Sequence, residues 1–519
     1  MFKQNSYKTY ISLAIISFLI NFYVASHGVF PVDTFIHYDY GYRILLGDNP
    51  VTDYWIVHGF IIDYIQAIFF KIFGNNWYSY VIHSSIFNVI ITLSSYSIFR
   101  LLKVDFKLSF LISIFVAFLA YPVSGTPFLD LHSTFFSLLA VYTLIFAIVK
   151  NKNFYWFYAS ILLGFAFFSK QVPAVYTIIG VSLINIYFTI IKKNIKIFIY
   201  FISGATFFLT ILFLFLIIRK IPISDFILQI FLFPPSIGVN RYETYDLNFK
   251  NIILDYKFIY FVFIPIIIVN LINLRKLKKY YYSTSFEIFL ILFIFFCTTL
   301  FHQIYTKNQV YIFSLIPIFA GFLIYYKNFY ELKFHNLITY TILAFCFFAT
   351  IKYHIRFNIE RKFHELNYTK ISDSIDATVI NKKFSGLKWI TPYFNEPQKE
   401  VEIINSFFSV LEKDSQNKML ITEYNFFSSL LNENLHAPSR TYDLISYPRK
   451  NTKYFENYKK HLIDIIKKNK IEKVYIFEPS SIYDKNEIIF NYISENCFKK
   501  DVSNTHFVIL QIADCKELK

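Results

Sequence analysis

The chain has 519 residues, of which 55% are hydrophobic, 21% aromatic and only 17% charged, with a formal net charge of +16. A charged fraction this far below the usual quarter excludes a soluble enzyme and a disordered chain, and four cysteines exclude a disulfide scaffold. What remains is a polytopic membrane protein, so the net charge is read from its placement along the chain and not as a nucleic-acid footprint.

A bilayer core of ~30 Å takes about 20 apolar residues as helix. The first such run, 9–30, follows Lys3 and Lys8 and lacks a small-residue cleavage site. It reads as a retained anchor, not a signal peptide. The loop 31–77 comes next and carries Asp33, Asp39, Asp48, Asp53 and Asp63. Thr34–Leu46 and His58–Phe73 read as two amphipathic helices joined by a Gly-Asp-Asn-Pro turn, suited to lie along a bilayer surface. Tyr38, Tyr40, Tyr42 and Tyr54 suit an aromatic belt.

Ten more runs follow: 78–99, 108–122, 131–149, 154–169, 173–191, 197–218, 256–273, 284–301, 309–326 and 335–351. The sequence TPFLDLH puts Asp130 and His132 at the start of one of them, and ionisable groups at a membrane boundary hint at function. Lys170-Gln171 interrupts an apolar stretch. Such a pair reads as a broken or re-entrant helix, its lysine either meeting an anion or snorkelling to the interface. The loop 219–255 holds a Pro-Pro pair with Arg241 and Tyr242, and FHQIYTKNQ holds His302, Gln303 and Lys307. Cys297 and Cys346 lie in apolar runs and read as inert.

An inner N-terminus with eleven spans leaves the C-terminus outside. The positive-inside rule tests this independently. The predicted inner side gathers Arg100, Lys103, Lys107, Lys150, Lys152, Lys192, Lys193, Lys196 and the cluster from Arg275 to Lys279, for a net +13, against −1 on the outer loops. The expected location is therefore a membrane, with a cytoplasmic N-terminus and an extracytoplasmic tail. That tail, 352–519, has a net charge of only +4. Strand-like KMLITEY, KVYIFEP and HFVILQI alternate with helical patterns such as Thr452–Lys470, which suggests a small extracytoplasmic α/β domain behind a connector at 353–398. In an oxidising compartment Cys497 and Cys515 are able to pair.

In the first outer loop an early acid, Asp33, is followed by GYRILLGDNP at 41–50, DYWIVHG at 53–59 and AIFFKIFG at 67–74. This order resembles the first outer loop of the GT-C superfamily of integral-membrane glycosyltransferases. The pattern is closest to the bacterial branch related to protein mannosyltransferases and aminoarabinose transferases. Many relatives have Asp-Glu at the catalytic position, whereas this chain has Asp33-Thr34. The resemblance implies a GT-C-like membrane domain over 1–351 and an outer α/β domain over 352–519. It implies sugar transfer from a polyprenyl-phosphate donor to a hydroxyl of a glycan, lipid or protein, with inversion.

In that reaction Asp33 is the expected base and Asp39 the runner-up, since the attacking hydroxyl must lose a proton. The structural alternative for Asp33 is a helix N-cap. Turn and cap roles explain Asp48 and Asp53, and a solvated face explains Asp63. Arg241, Lys170 and Lys307 are the candidates for holding the donor phosphate. His37, Arg43, His58, Asp130, His132, Gln171, Tyr242, His302 and Gln303 complete the candidate set. A divalent metal bridging Asp33, His37 and Asp39 is the one cofactor these residues suggest, against an ordinary anchoring role for the histidines. The rival functions are a glycan polymerase or ligase, and a lipid-linked glycan transporter. A transporter is disfavoured because no internal repeat is present and the acids crowd one boundary.

Overall fold

The computed structural model describes residues 2–237, 248–276, 280–306, 312–330, 335–442, 446–479, 487–503 and 505–518. The chain divides into two compact units. The first comprises Met1–Ala25, Val81–Leu214 and Thr244–Phe363, and the second Ser26–Tyr80, Phe215–Glu243 and His364–Lys519. The loop 31–77 is thus grouped with the tail and not with the spans.

The first unit is helical. Among the described residues nine helices are long and apolar enough to cross a membrane: Tyr7–Ala25, Trp77–Leu101, Phe106–Val123, Leu129–Lys150, Gln171–Ile191, Ile195–Ile218, Lys257–Lys276, Thr284–Thr306 and Asn336–His364. They fall on nine of the eleven expected runs. The other two runs form the helices Phe154–Ser169 and Leu315–Phe329, of 16 and 15 residues. At ~1.5 Å per residue these reach about 24 and 22 Å, short of a full hydrocarbon core. The first span ends at Ala25 and not at residue 30, because Gly28 and Val29 donate instead to Lys388 O and Ile390 O at 2.9 and 3.0 Å.

Apolar helices in lipid gain nothing from hydrophobic burial against one another, so small and polar side chains hold them together. Asn21 donates to Ser84, Ser85 and the Gly125 carbonyl. Asn88 donates to the Ser17 and Ala117 carbonyls and accepts from the Tyr121 N–H. Gly125, at φ +79°, is required there: a Cβ would stand 2.9 Å from Ala25 Cα. The expected break is present. Lys170 is extended (φ −154°, ψ 127°) between two helices, and Val172, directly before Pro173, is extended as well (φ −115°, ψ 122°).

The second unit assembles three segments far apart in sequence. In the loop, helices Ile36–Leu45 and Ile61–Phe73 occupy the two expected amphipathic stretches. They pack so closely at Gly41 that a Cβ would meet Gln66 Cγ at 2.7 Å. The tail begins with a two-stranded ladder of β1 (Ile375–Asp376) and β2 (Lys388–Trp389). The main sheet follows: β3 (Lys418–Ile421), β4 (Lys473–Phe477), β5 (Phe498–Ser503) and β6 (Phe507–Ile512), in the order β3-β4-β6-β5. β3 and β4 are parallel, linked through helix Phe455–Lys468, and the β4–β6 and β5–β6 pairs are antiparallel. Tyr458, Leu462, Ile465 and Ile466 pack in one core with Met419, Ile421, Val474 and Ile476. The three expected strands are present. β5 was not expected, because FKKDVS offers little apolar alternation, as suits an exposed edge. Cys497 and Cys515 are joined as a disulfide, with Cα atoms 5.1 Å apart.

Candidate functional site

Asp33 is the third residue of the short helix Pro31–Thr34, half-buried. It is not an N-cap: Phe30 and Phe35 hold the cap positions of this helix and the next. The remaining acids of the loop are held in place by named donors. Asp39, 4% exposed, accepts the Ser429 N–H at 3.0 Å. Burial raises its pKa, against the Ser429 N–H and the Arg43 charge. The carboxylate is therefore tied to the tail, which weighs against it as the base.

Asp48 binds Arg43 Nε at 2.7 Å and Asn434 Nδ2 at 2.8 Å. Asp53 accepts from the Asn49 N–H at 2.8 Å and from Lys468 Nζ at 2.5 Å. Burial pushes Asp53 upward, but the Lys468 ammonium and the Asn49 N–H outweigh it and leave its carboxyl below the usual range. Asp63 is no solvated acid. It is fully buried, 2.6 Å from both His37 Nδ1 and Arg440 Nη2.

That geometry reassigns two candidates. Burial holds the His37 pKa down despite Asp63, so a neutral ring donates through Nδ1, and its buried Nε2 has no hydrogen-bond partner among the described residues. Arg43, fully buried, also donates to the Ala437 and Asp53 carbonyls. Both are structural pins in the loop. The alternative metal set of Asp33, His37 and Asp39 is not gathered: among the described residues, the one group of three such ligands within 4.8 Å is Cys497, Cys515 and Glu517, and both its cysteines are disulfide-bonded. His58 is half-buried in the bend before helix Ile61–Phe73.

The helical unit brings three separately chosen candidates together. Lys170 Nζ lies 2.6 Å from Asp130 Oδ2, and His302 Nε2 lies 3.2 Å from Asp130 Oδ1. The cluster joins the helix start at Leu129, the break at Lys170 and the end of helix Thr284–Thr306. Lys170 keeps 17% of its side chain exposed and Asp130 only 3%. Gln303 and Gln171 are buried alongside in sequence, at 1% and 8% exposure. His132 is excluded from the cluster. Two residues from Asp130, about 200° around the helix, it binds Tyr121 Oη at 2.5 Å and His83 Nε2 at 3.0 Å. Arg241, Tyr242 and Lys307 lie outside the described residues.

Three contributors escaped the sequence reading. Arg219 donates to Asn49 Oδ1 at 2.5 Å and to the Gly47 and Asp48 carbonyls. Gln229 accepts from Ile56 N and donates to the Val51 carbonyl. Arg440 anchors Asp63. Arg219 had a signal, a cation at the predicted outer end of a span, where the positive-inside rule disfavours one.

The structure of ArnT from Cupriavidus metallidurans bound to undecaprenyl phosphate matches over 98% of this chain and 98% of its own, with TM-score 0.53 and 9% identity, which establishes the fold. Residues 57–221 match the family described as dolichyl-phosphate-mannose-protein mannosyltransferase. The oligosaccharyltransferase of Archaeoglobus fulgidus is a more distant likeness. Its complex with Zn and sulfate gives TM-score 0.42 at 12% identity, and its apo form 0.47 at 10%; each covers 90% of this chain, and 68% and 69% of that protein respectively. No curated protein sequence matches the chain significantly.

Proposed function

We propose that the protein transfers a sugar from a polyprenyl-phosphate donor to an acceptor hydroxyl at the outer membrane face. The observation that carries this reading is the Lys170–Asp130–His302 cluster. An ionic group built into an otherwise apolar helix bundle is expensive to maintain, and such groups mark functional sites. A carboxylate holds Lys170 in place, and its partial exposure lets it meet a lipid phosphate. That phosphate leaves as a stable anion, so a strong general acid is not needed.

The acceptor hydroxyl needs a base. Asp33, half-buried near the start of the loop, is assigned the role because its position matches the early loop acid of GT-C glycosyltransferases. Direct attack opposite the departing phosphate inverts the anomeric centre. Asp33→Asn is expected to cut transfer from a polyprenyl-phosphate sugar by at least ~100-fold while thermal unfolding stays unchanged; a variant with full turnover overturns the base assignment. Lys170→Gln is expected to raise the donor KM more than it lowers kcat, and the reverse pattern would rule out a phosphate-holding role.

A further inference from the structure

Three cations, at the start of helix Lys257–Lys276, at the end of helix His335–His354 and in the turn Ile355–Ile359 that follows it, have no part in the proposed transfer. Lys257 Nζ and Lys352 Nζ lie 5.7 and 4.4 Å from the centroid of one ring, Phe258. Arg356, four residues after Lys352, has its guanidinium 5.3 Å from the Phe357 ring. Lys257 and Arg356 both act electrostatically on Lys352. Among the described residues none of the three has a carboxylate within 4.0 Å. Asp255 and Glu360 are the acids nearest in sequence, and Asp255 acts on Tyr353. The Arg356 Nε is buried with no acceptor among the described residues.

Like charges gathered without a directly paired carboxylate repel one another, and the arrangement is relieved by an anion. The adjoining surface is apolar and aromatic. Phe261 stacks on Phe345 at 4.1 Å and Phe258 lies 6.1 Å from Phe348, while Phe261 and Phe348 remain 51% and 59% exposed. Cations at the end of a membrane helix, above an uncovered apolar ledge, match an amphiphile with an anionic head. We propose that Lys257, Lys352 and Arg356 bind the phosphate of an anionic phospholipid whose acyl chains lie along Phe258, Phe261 and Phe348. The ledge favours a lipid over free phosphate. Its exposure on the helix surface favours an abundant bilayer lipid over a scarce carrier.

The test uses the purified full-length protein in nanodiscs of phosphatidylcholine, with or without phosphatidylglycerol, read by native mass spectrometry and thermal unfolding. The wild type is expected to retain phosphatidylglycerol and to unfold at higher temperature with it. Lys352→Gln is expected to weaken retention about fivefold, and Lys257→Gln/Lys352→Gln/Arg356→Gln about a hundredfold. In phosphatidylcholine alone the variants should unfold like the wild type. If the triple variant fails to fold, Lys352→Gln and the wild-type comparison of the two lipids decide the matter. Equal retention by wild type and variants overturns the site. So does retention of undecaprenyl phosphate without phosphatidylglycerol, or equal stabilisation by inorganic phosphate.

Discussion

Asp63 shows how a single residue changes meaning once its neighbours are known. In the sequence it is one acid of an amphipathic helix and reads as solvated. In the fold it is a fully buried carboxylate between His37 and Arg440, and Tyr54 Oη adds a third donor at 3.3 Å. Breaking a buried pair by removing one partner costs about 3–5 kcal/mol, because the other charge is left uncompensated. Arg440→Met should destabilise the purified protein by that amount in thermal or denaturant unfolding. Adding Asp63→Asn should recover roughly half of the loss; strictly additive losses would contradict the pairing. The acid-rich loop was correctly legible as unusual. Four of its five acids could not be distinguished as tail anchors, since Ser429, Asn434, Arg440 and Lys468 leave no mark near residues 31–77.

Helices and strands were more legible, because apolar length and alternation are local. Every expected span has a helix, and the break at Lys170 was visible as a Lys-Gln pair interrupting an apolar stretch. The missed β5 has no alternation to find. One contact between elements sets a pH dependence. Glu400, in the first turn of helix Pro397–Lys413, accepts from Trp389 Nε1 at 3.0 Å, Thr391 Oγ1 at 2.8 Å and Tyr424 Oη at 2.7 Å. Burial raises its pKa from 4.5 to about 7, although all three donors work against the rise. The folded carboxyl thus holds its proton more tightly than the unfolded one. Its contribution to stability is complete below pH ~4.5 and is lost as pH rises through ~7, on the order of 3 kcal/mol. Between pH 5 and 8 the wild type should therefore lose more stability than Glu400→Gln. Parallel pH profiles of unfolding temperature for the two proteins would refute this.

At the scale of the molecule, the loop 31–77, much of the loop 219–255 and most of the tail fall in one unit, whereas the shorter predicted outer loops that carry Asp130, Lys170 and His302 fall in the other. Ser26–Tyr80, Phe215–Glu243 and His364–Lys519 form a single compact body, while Arg100, Lys150, Lys192 and Lys276 of the predicted inner side all belong to the other. Hydropathy and charge asymmetry act on whole segments, so they survive without an alignment. Pair choice within the body does not, because it depends on residues hundreds of positions apart.

The 377 residues between Asp63 and Arg440 also set a timetable for synthesis. At ~10 residues per second, translation takes about 40 s to bring the arginine out after the aspartate. Throughout that interval the loop has its histidine and its acids but not the tail donors that complete the body. The surface helices can form early, yet their final packing waits for nearly the whole chain. A protein truncated before residue 440 therefore loses more than an appended domain: its loop 31–77 is left with a charge it cannot bury.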